Sequence, residues 1–185
     1  TECEGVRFGF TNDVDVSKAG AVYFTDASTR FPIEEFRLDL LEHGPSGRLM
    51  VYDPKTKVVT QLLGGLSFCN GVALAWDESY LLVAETGTYR VLRYWLAGAK
   101  VGTHDVLVDN LPGFPDGIST GKDVFWLAIA SPRDAVLDAV LPTPFLRKVI
   151  CRLPEFMQPA AKRHGFVLGL DAAGKVVHDL QHDAP

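Results

Sequence analysis

The sequence predicts an all-β fold, a β-propeller of about three four-stranded blades with short helical insertions. Three strand-like segments of similar composition recur along the chain, and each follows a shorter strand and precedes two more. These segments span 21–28, 81–88 and 124–131. Gly, Asp, Asn and Pro stand at the turns, where hairpins need them. A β-sandwich does not predict the same order of strands and turns three times, so blades repeated around an axis are the preferred interpretation.

The turns between the repeats set the predicted boundaries of the blades. We place the blades at about 8–66, 67–112 and 113–182, so that 1–185 is one partial propeller. Two interruptions, at about 32–44 and 132–158, carry apolar residues at helical spacing and are predicted to be short helices. In the second, we expect helices to start at Ser131 with Pro132 and at Thr143 with Pro144. Both insertions are predicted to lie over one end of the central channel, as lids.

Composition excludes several classes of protein. The chain has 185 residues, 47% of them apolar, and a formal net charge of −5. A disordered tail and a nucleic-acid-binding surface are therefore poor interpretations. No apolar run approaches the ~18 residues of a membrane span, and we expect a soluble chain without signal sequence or membrane contact. The three cysteines, Cys3, Cys69 and Cys151, fit neither a disulfide framework nor a zinc site, although one disulfide stays open.

A short polar group stands before each predicted innermost strand. The repeat places Asn12, Asn70 and Asp116 at equivalent positions, directed towards the axis where the blades converge. Calcium takes six to eight oxygen ligands, and amide and carboxylate oxygens from separate loops can supply them. At any one site, the alternative is that the residue simply forms a turn. Three equivalent positions together favour a metal site made by Asn12, Asn70 and Asp116.

Several strings of the sequence resemble the strictosidine synthase-like family. They are Phe-Cys-Asn-Gly-Val-Ala at 68–73 together with the segments 24–28, 82–86, 90–96, 110–116 and 152–154. The resemblance implies a six-bladed propeller related to gluconolactonase-type and paraoxonase-type propellers, many of which are calcium-dependent lactonases or arylesterases. It also implies that Asn12, Asn70 and Asp116 match the family's axial metal or substrate ligands. With Asn12, Phe114 of the 110–116 motif is the candidate for substrate binding.

The sequence also departs from the family pattern. Gly117 follows the Pro-Asp pair, where strictosidine synthase-like proteins usually have Asn. The family's acidic metal ligand is expected before Thr1, and the glutamate of plant strictosidine synthases beyond Pro185. The resemblance therefore covers about half of the propeller, and whether the chain is an enzyme is left open.

The reaction that the resemblance implies is hydrolysis of a lactone or ester, in which calcium polarises the carbonyl while a base activates water. Asp13 and Asp26 are the candidate catalytic bases, and the alternative is that both are turn or strand residues. None of the five histidines falls in a loop that enters an innermost strand.

Two other functions remain as alternatives. The chain could be a non-catalytic binding or assembly module, because three blades leave two open edges and exposed apolar faces. A second copy of the chain, or the missing blades of a longer one, would then close the ring. Condensation of an amine with an aldehyde, as in strictosidine synthase, is the second alternative. The small-molecule partner is accordingly an ester, a lactone, or an amine with an aldehyde.

Overall fold

A computed structural model of the chain describes residues 2–154, 157–159, 161–162 and 164–183. Its strands form three four-stranded antiparallel sheets and one two-stranded sheet. The two-stranded sheet pairs β1 (Glu2–Cys3) with β2 (Val6–Arg7). The first four-stranded sheet contains β3 (Thr11–Val16), β4 (Val22–Asp26), β5 (Gly47–Asp53) and β6 (Val58–Leu66).

The second and third sheets repeat the same order. The second contains β7 (Cys69–Leu74), β8 (Tyr80–Glu85), β9 (Arg90–Trp95) and β10 (His104–Val108). The third contains β11 (Gly113–Thr120), β12 (Phe125–Pro132), β13 (His164–Leu170) and β14 (Val176–Asp183). Each sheet is an up-and-down meander of consecutive strands, and the predicted all-β propeller architecture is confirmed.

The first strands of the three sheets lie side by side, with β7 packed against both β3 and β11. Gly71 in β7 makes the contact with β11 close, because a Cβ there would stand 2.5 Å from the Asp116 carbonyl oxygen and from the Ile118 nitrogen. Any larger residue at position 71 would push the two strands apart. The residues at the start of these strands are thereby brought to one end of the molecule.

Two apolar clusters fill the spaces between the sheets. Side chains alternate between the two faces of a strand, so the strands β7, β8 and β9 of the second sheet contribute to both clusters. In β7, Val72 and Leu74 face the first sheet, whereas Ala73 and neighbouring Ala75 face the third. The core therefore consists of sheet-to-sheet contacts, and the middle sheet is covered on both faces.

Carboxylates of β3 bind the free inner edge of β7. The Asp13 side chain accepts a hydrogen bond of 2.9 Å from the backbone nitrogen of Val72. The Asp15 side chain accepts one of 2.7 Å from that of Leu74. Backbone groups on a strand edge need partners when water is excluded, and here the neighbouring sheet supplies them.

In the described residues, three short α-helices interrupt the sheets. A 3₁₀ turn at Ile33–Glu35 leads into α1 (Phe36–Glu42), between β4 and β5. Helices α2 (Ala135–Val140) and α3 (Pro144–Ile150) lie between β12 and β13. Residues 155 and 156 of the second predicted insertion lie outside the described residues.

The predicted start of α2 was wrong. Ser131 and Pro132 belong to β12, because β11 pairs with β12 as far as Gly113 opposite Pro132. The side chain of Asp134 caps α2 instead, accepting hydrogen bonds from the backbone nitrogens of Val136 and Leu137. At α3, Thr143 stands at the cap and Pro144 in the first turn, as expected.

The three cysteines are unpaired, with Cys3 and Cys69 buried and Cys151 exposed. Within the described residues, no helix is both long and apolar enough to cross a membrane.

Candidate functional site

A cavity of about 450 Å³ lies beneath the helical insertions, at the start of the innermost strands. All three sheets and both insertions contribute to its wall. The metal-ligand candidates Asn12, Asn70 and Asp116 line this one cavity, as does Phe114. The structure therefore brings together four of the side chains that the repeat and the resemblance single out.

The polar candidates share a backbone feature. Each first strand has an irregularity in its pairing with the neighbouring strand: between Thr11 and Val14, between Cys69 and Val72, and between Pro115 and Ile118. Strand β11 has a second one, between Gly113 and Pro115. Asn12, Asn70 and Asp116 are each the first residue inside one of the three corresponding irregularities. Bulges of this kind redirect side chains and are frequent beside binding sites. The same kind of irregular pairing therefore occurs in all three sheets, at equivalent positions around the cavity.

A chain of hydrogen bonds crosses the floor of the cavity. The Asn12 amide donates to Oδ1 of Asn70 at 2.7 Å, and the Asn70 amide donates to Oγ1 of Thr86 at 3.2 Å. The Thr86 hydroxyl in turn donates to the carbonyl of Pro115 at 2.6 Å. The chain links all three sheets and fixes the orientation of the buried Asn70 side chain.

Asp116 supplies the negative charge at the floor. Its side chain is half-buried and lines the cavity. Within the part of the chain that the structure describes, its carboxylate makes no hydrogen bond or ion pair. The group is therefore open to a ligand or a cation that enters the cavity.

This donor set fits a calcium ion in kind. Asn12, Asn70 and Asp116 offer two amide oxygens and a carboxylate, the hard oxygen ligands that calcium prefers. In the described residues, no group of three or more His, Cys, Asp or Glu side chains could hold a metal. A cation here would depend on the amides as much as on Asp116, and three donors leave part of the coordination sphere to be filled by other groups.

The structure does not bring the two catalytic candidates to the cavity wall. Asp26 is fully buried, and its carboxylate accepts hydrogen bonds from the backbone nitrogens of Gly9 and Phe10. It also forms an ion pair of 2.6 Å with Arg48. The Asp13 carboxylate accepts from the nitrogens of Val14 and Val72. A catalytic role for Asp13 and Asp26 stays a prediction, and these contacts favour a structural role.

Aromatic residues of the wall were missed by the sequence reasoning. Phe10 and Phe68 line the cavity beside Phe114, and Phe36 of α1 reaches it from above. Phe10, Phe68 and Phe114 each stand two residues before one of the polar candidates. This repeated spacing was visible in the sequence and is the signal that could have identified them.

The two helical insertions meet above the cavity. Leu41 of α1, Val140 of α2 and Ile150 of α3 form a small buried cluster. Arg147 of α3 donates a hydrogen bond to the carbonyl of Glu42, at the end of α1. Segments far apart in the chain therefore make one cover over the site.

A buried carboxylate anchors α1 to the first sheet. Asp39 accepts hydrogen bonds from the hydroxyls of Ser28 and Ser46, the latter at 2.8 Å. Its Oδ1 is buried and has no hydrogen-bond partner. Burial raises the pKa of Asp39 above its usual value, and the serine hydroxyls act in the opposite direction.

Comparison with known proteins identifies the family. The family model described as strictosidine synthase matches residues 12–99. Strictosidine synthase-like 10 of Arabidopsis thaliana is 39% identical over 189 residues, covering 98% of this chain and 50% of that protein. The adipocyte plasma membrane-associated protein of Bos taurus is 38% identical, covering 99% of this chain and 46% of that protein. The chain thus spans about half the length of the curated relatives it matches.

Solved structures show the same fold at low sequence identity. A gluconolactonase of Xanthomonas campestris superposes with a TM-score of 0.62 and 16% identity, over 98% of this chain and 49% of that one. The calcium-binding protein regucalcin of Agrobacterium tumefaciens gives a TM-score of 0.58 and 16% identity, over 95% of this chain and 45% of that one. The solved structures show the β-propeller fold, and the sequence matches show that the chain belongs to the strictosidine synthase-like family.

Proposed function

We propose that the chain forms part of a calcium-dependent hydrolase of lactones or esters, with its site in the cavity at the mouth of the central channel. One observation carries the proposal: three oxygen-bearing side chains, at equivalent irregularities of strand pairing in three sheets, line a single cavity. The names of two structural neighbours, a gluconolactonase and a calcium-binding protein, lend it support.

The residues of this chain would hold the cation and shape the site. Asn12, Asn70 and Asp116 would be the ligands, and a bound calcium ion would polarise the substrate carbonyl and stabilise the negative charge that develops on it. Thr86 holds the Asn70 amide nitrogen, and a cation at Oδ1 of Asn70 would share or displace the hydrogen bond that this oxygen accepts from Asn12. Much of the wall above the floor is apolar, and electrostatic interactions are stronger wherever such a wall keeps water away.

Calcium titration of the wild-type chain and an Asp116→Asn variant tests the proposal. We expect calcium to raise the melting temperature of the wild type and to support turnover of a phenyl ester or a lactone. The Asp116→Asn variant should lose the calcium stabilisation and about 10²-fold or more of the turnover. Asp123→Asn is the matched control, because Asp123 is an exposed turn residue outside the cavity.

The outcomes separate the proposed reaction from its alternatives. Equal calcium responses in the Asp116→Asn and Asp123→Asn variants would contradict the metal site. Condensation of an amine with an aldehyde, without ester or lactone hydrolysis, would favour the synthase-type reaction that the resemblance also implies.

A second candidate function is a non-catalytic binding or assembly module. Val14 and Val16 of β3 are 57% and 54% exposed, and Leu180 of β14 is 55% exposed. These residues lie on the first and third sheets, at the two ends of the arc. A second copy of the chain, or further blades of a longer one, would cover them.

Sedimentation tests the version of this candidate in which two copies close the ring. We expect a dimer that dissociates when Val14 and Val16 are changed to lysine. A wild-type chain that stays monomeric at high concentration would contradict it.

A further inference from the structure

A buried glutamate ends the second strand of the middle sheet and lies outside the cavity wall. Glu85 is the last residue of β8 and is only 1% exposed. Its Oε1 accepts a hydrogen bond of 2.7 Å from the backbone nitrogen of Ser67, and its Oε2 forms an ion pair of 2.5 Å with Nε of Arg90. Burying a carboxylate costs free energy unless its charge and oxygens find partners, and here both oxygens have one.

The segment that Glu85 holds contains a strained turn. Phe68 has a φ of +54°, a left-handed conformation that a residue with a side chain seldom adopts unless its neighbours hold it there. The backbone nitrogen of Gly87 donates to the Ser67 carbonyl at 3.0 Å, and that of Thr86 donates to the Phe68 carbonyl at 3.1 Å. With the contact to the Glu85 side chain, three hydrogen bonds hold the two residues of this turn.

Asn70 depends on the turn, because regular strand pairing does not reach it. Strand β7 pairs with β8 at Cys69 and next at Val72, so Asn70 lies in the irregular stretch between them. Irregularities of this kind redirect side chains, and the direction follows from how the chain enters the irregular stretch. The chain enters it from the Phe68 turn, which Glu85 holds.

The first sheet repeats this arrangement with an aspartate. Asp26 ends β4 as Glu85 ends β8, and its carboxylate likewise joins an arginine of the next strand to backbone nitrogens of the loop before the first strand. The third sheet has Ile129 at this position, opposite Pro115. The carboxylate therefore occurs in the two sheets whose cavity residue is an asparagine, and not in the sheet that carries Asp116.

We infer that Glu85 is a positioning residue of the cavity, which holds the Phe68 turn and thereby fixes how Asn70 presents its side-chain amide. An amide has one oxygen and one nitrogen, so its orientation decides whether a ligand meets an acceptor or a donor. The two oxygens of a carboxylate such as Asp116 are equivalent and need no such control. The inference holds for any ligand of the cavity, and only its consequence for calcium rests on the proposed function.

NMR signals of the Asn70 side-chain amide, assigned by their absence from an Asn70→Asp variant, test the inference without a ligand. Glu85→Met keeps the length of the side chain but removes the acceptor for the Ser67 nitrogen. It should shift the Asn70 signals and quicken exchange of these amide protons about tenfold or more. Glu85→Gln keeps an acceptor oxygen and should retain the wild-type exchange. Unchanged Asn70 signals in Glu85→Met would overturn the inference.

Leu170→Ala separates positioning from a general loss of stability. Leu170 is fully buried in the cluster between the second and third sheets and lies outside the cavity wall. This variant should lower the melting temperature and leave the Asn70 signals in place. Asn70 signals that move equally in Leu170→Ala and Glu85→Met would show that Glu85 acts only through global stability, and would overturn the inference. Should Glu85→Met not fold, the double variant with Arg90→Met leaves no unpaired charge and gives the same measurement.

Calcium titration of the same variants distinguishes this inference from the proposed function. Where the wild type binds calcium, Glu85→Met should bind it about tenfold or more weakly, and Glu85→Gln should bind it like the wild type. A wild type that does not bind calcium, with Asn70 signals that move in Glu85→Met, would overturn the proposed function and leave the inference standing. Equal calcium binding in the wild type and Glu85→Met, with unchanged Asn70 signals, would overturn the inference and leave the proposed function standing.

Discussion

The side-chain amide of Asn12 donates a hydrogen bond of 2.7 Å to Oδ1 of Asn70, and this contact joins the first strands of two neighbouring sheets. Asn12 is exposed at one end of it, whereas Asn70 is only 7% exposed at the other. The same geometry that could present oxygens to a ligand therefore also contributes to the packing of the sheets.

Replacing Asn70 should lower the free energy of unfolding more than replacing its partner Asn12. Asn70→Ala removes the hydrogen bond that Oγ1 of the buried Thr86 accepts, and it should lower the free energy of unfolding by about 1–3 kcal/mol. Asn12→Ala should cost less than about 1 kcal/mol, since water can replace its contact. Urea unfolding of both single variants and the double variant measures the coupling. Equal costs with no coupling would contradict this account of the floor.

The buried ion pair of Asp26 with Arg48 should dominate the stability of the first sheet. Asp26→Ala leaves the Arg48 charge buried without a partner and removes the acceptor for two backbone nitrogens, so we expect a loss of about 3–5 kcal/mol. The double variant Asp26→Leu with Arg48→Met should recover part of that loss. An Asp26→Asn variant that loses turnover but unfolds like the wild type would instead support the catalytic role.

Asp39 should make the stability of the chain fall as the pH rises. Because burial raises its pKa in the folded state, the folded chain binds the Asp39 proton more tightly than the unfolded chain does. The stabilisation is complete below the unfolded value near 3.8 and is lost as the pH rises through the raised value. Arg30 and Glu42 are the charged groups that act on Asp39, in opposite directions.

Melting curves between about pH 4 and pH 7 check this sign. The Asp39→Asn variant should gain stability relative to the wild type as the pH rises, and a parallel shift of both proteins across the range would contradict the assignment. Glu42→Gln serves as the control for the neighbouring carboxylate.

Shortening one side chain in the cluster between the helical insertions should loosen the cover above the cavity without unfolding the sheets. Ile150→Ala removes a large part of a small buried cluster and should cost about 2 kcal/mol locally. Hydrogen exchange should quicken in 36–42 and 135–150, while the sheets keep their protection. Val149→Ala, on the same helix but 41% exposed, should change little. A uniform rise in exchange across all three sheets would show that the cover is part of the global fold.

The repeat made the architecture predictable from sequence. Alternating apolar residues and turn residues define each strand, and one copy checks the others, so Asn12, Asn70 and Asp116 could be aligned without structure. Their meeting in one cavity then follows from the side-by-side packing of β3, β7 and β11.

Contacts between distant segments could not be predicted in the same way. Ser131 and Pro132 have the composition of a helix start, but pairing with β11 holds them in a strand. The hydrogen bond from Arg147 to Glu42 joins residues 105 positions apart and leaves no local pattern. The spacing of Phe10 and Phe68 before Asn12 and Asn70 is visible in the sequence, but only the structure shows that both rings line the cavity.

The hydrogen bonds from Val72 and Leu74 to the carboxylates of Asp13 and Asp15 affect how closely the first two sheets approach each other. They fix the angle between the first and second sheets at the inner rim, independently of the helical cover. Gly71 sets the corresponding approach of the second sheet to the third. The spacing of the oxygens in the cavity is thus set by the packing of the three sheets, and we expect the cover to vary in length or sequence without moving them.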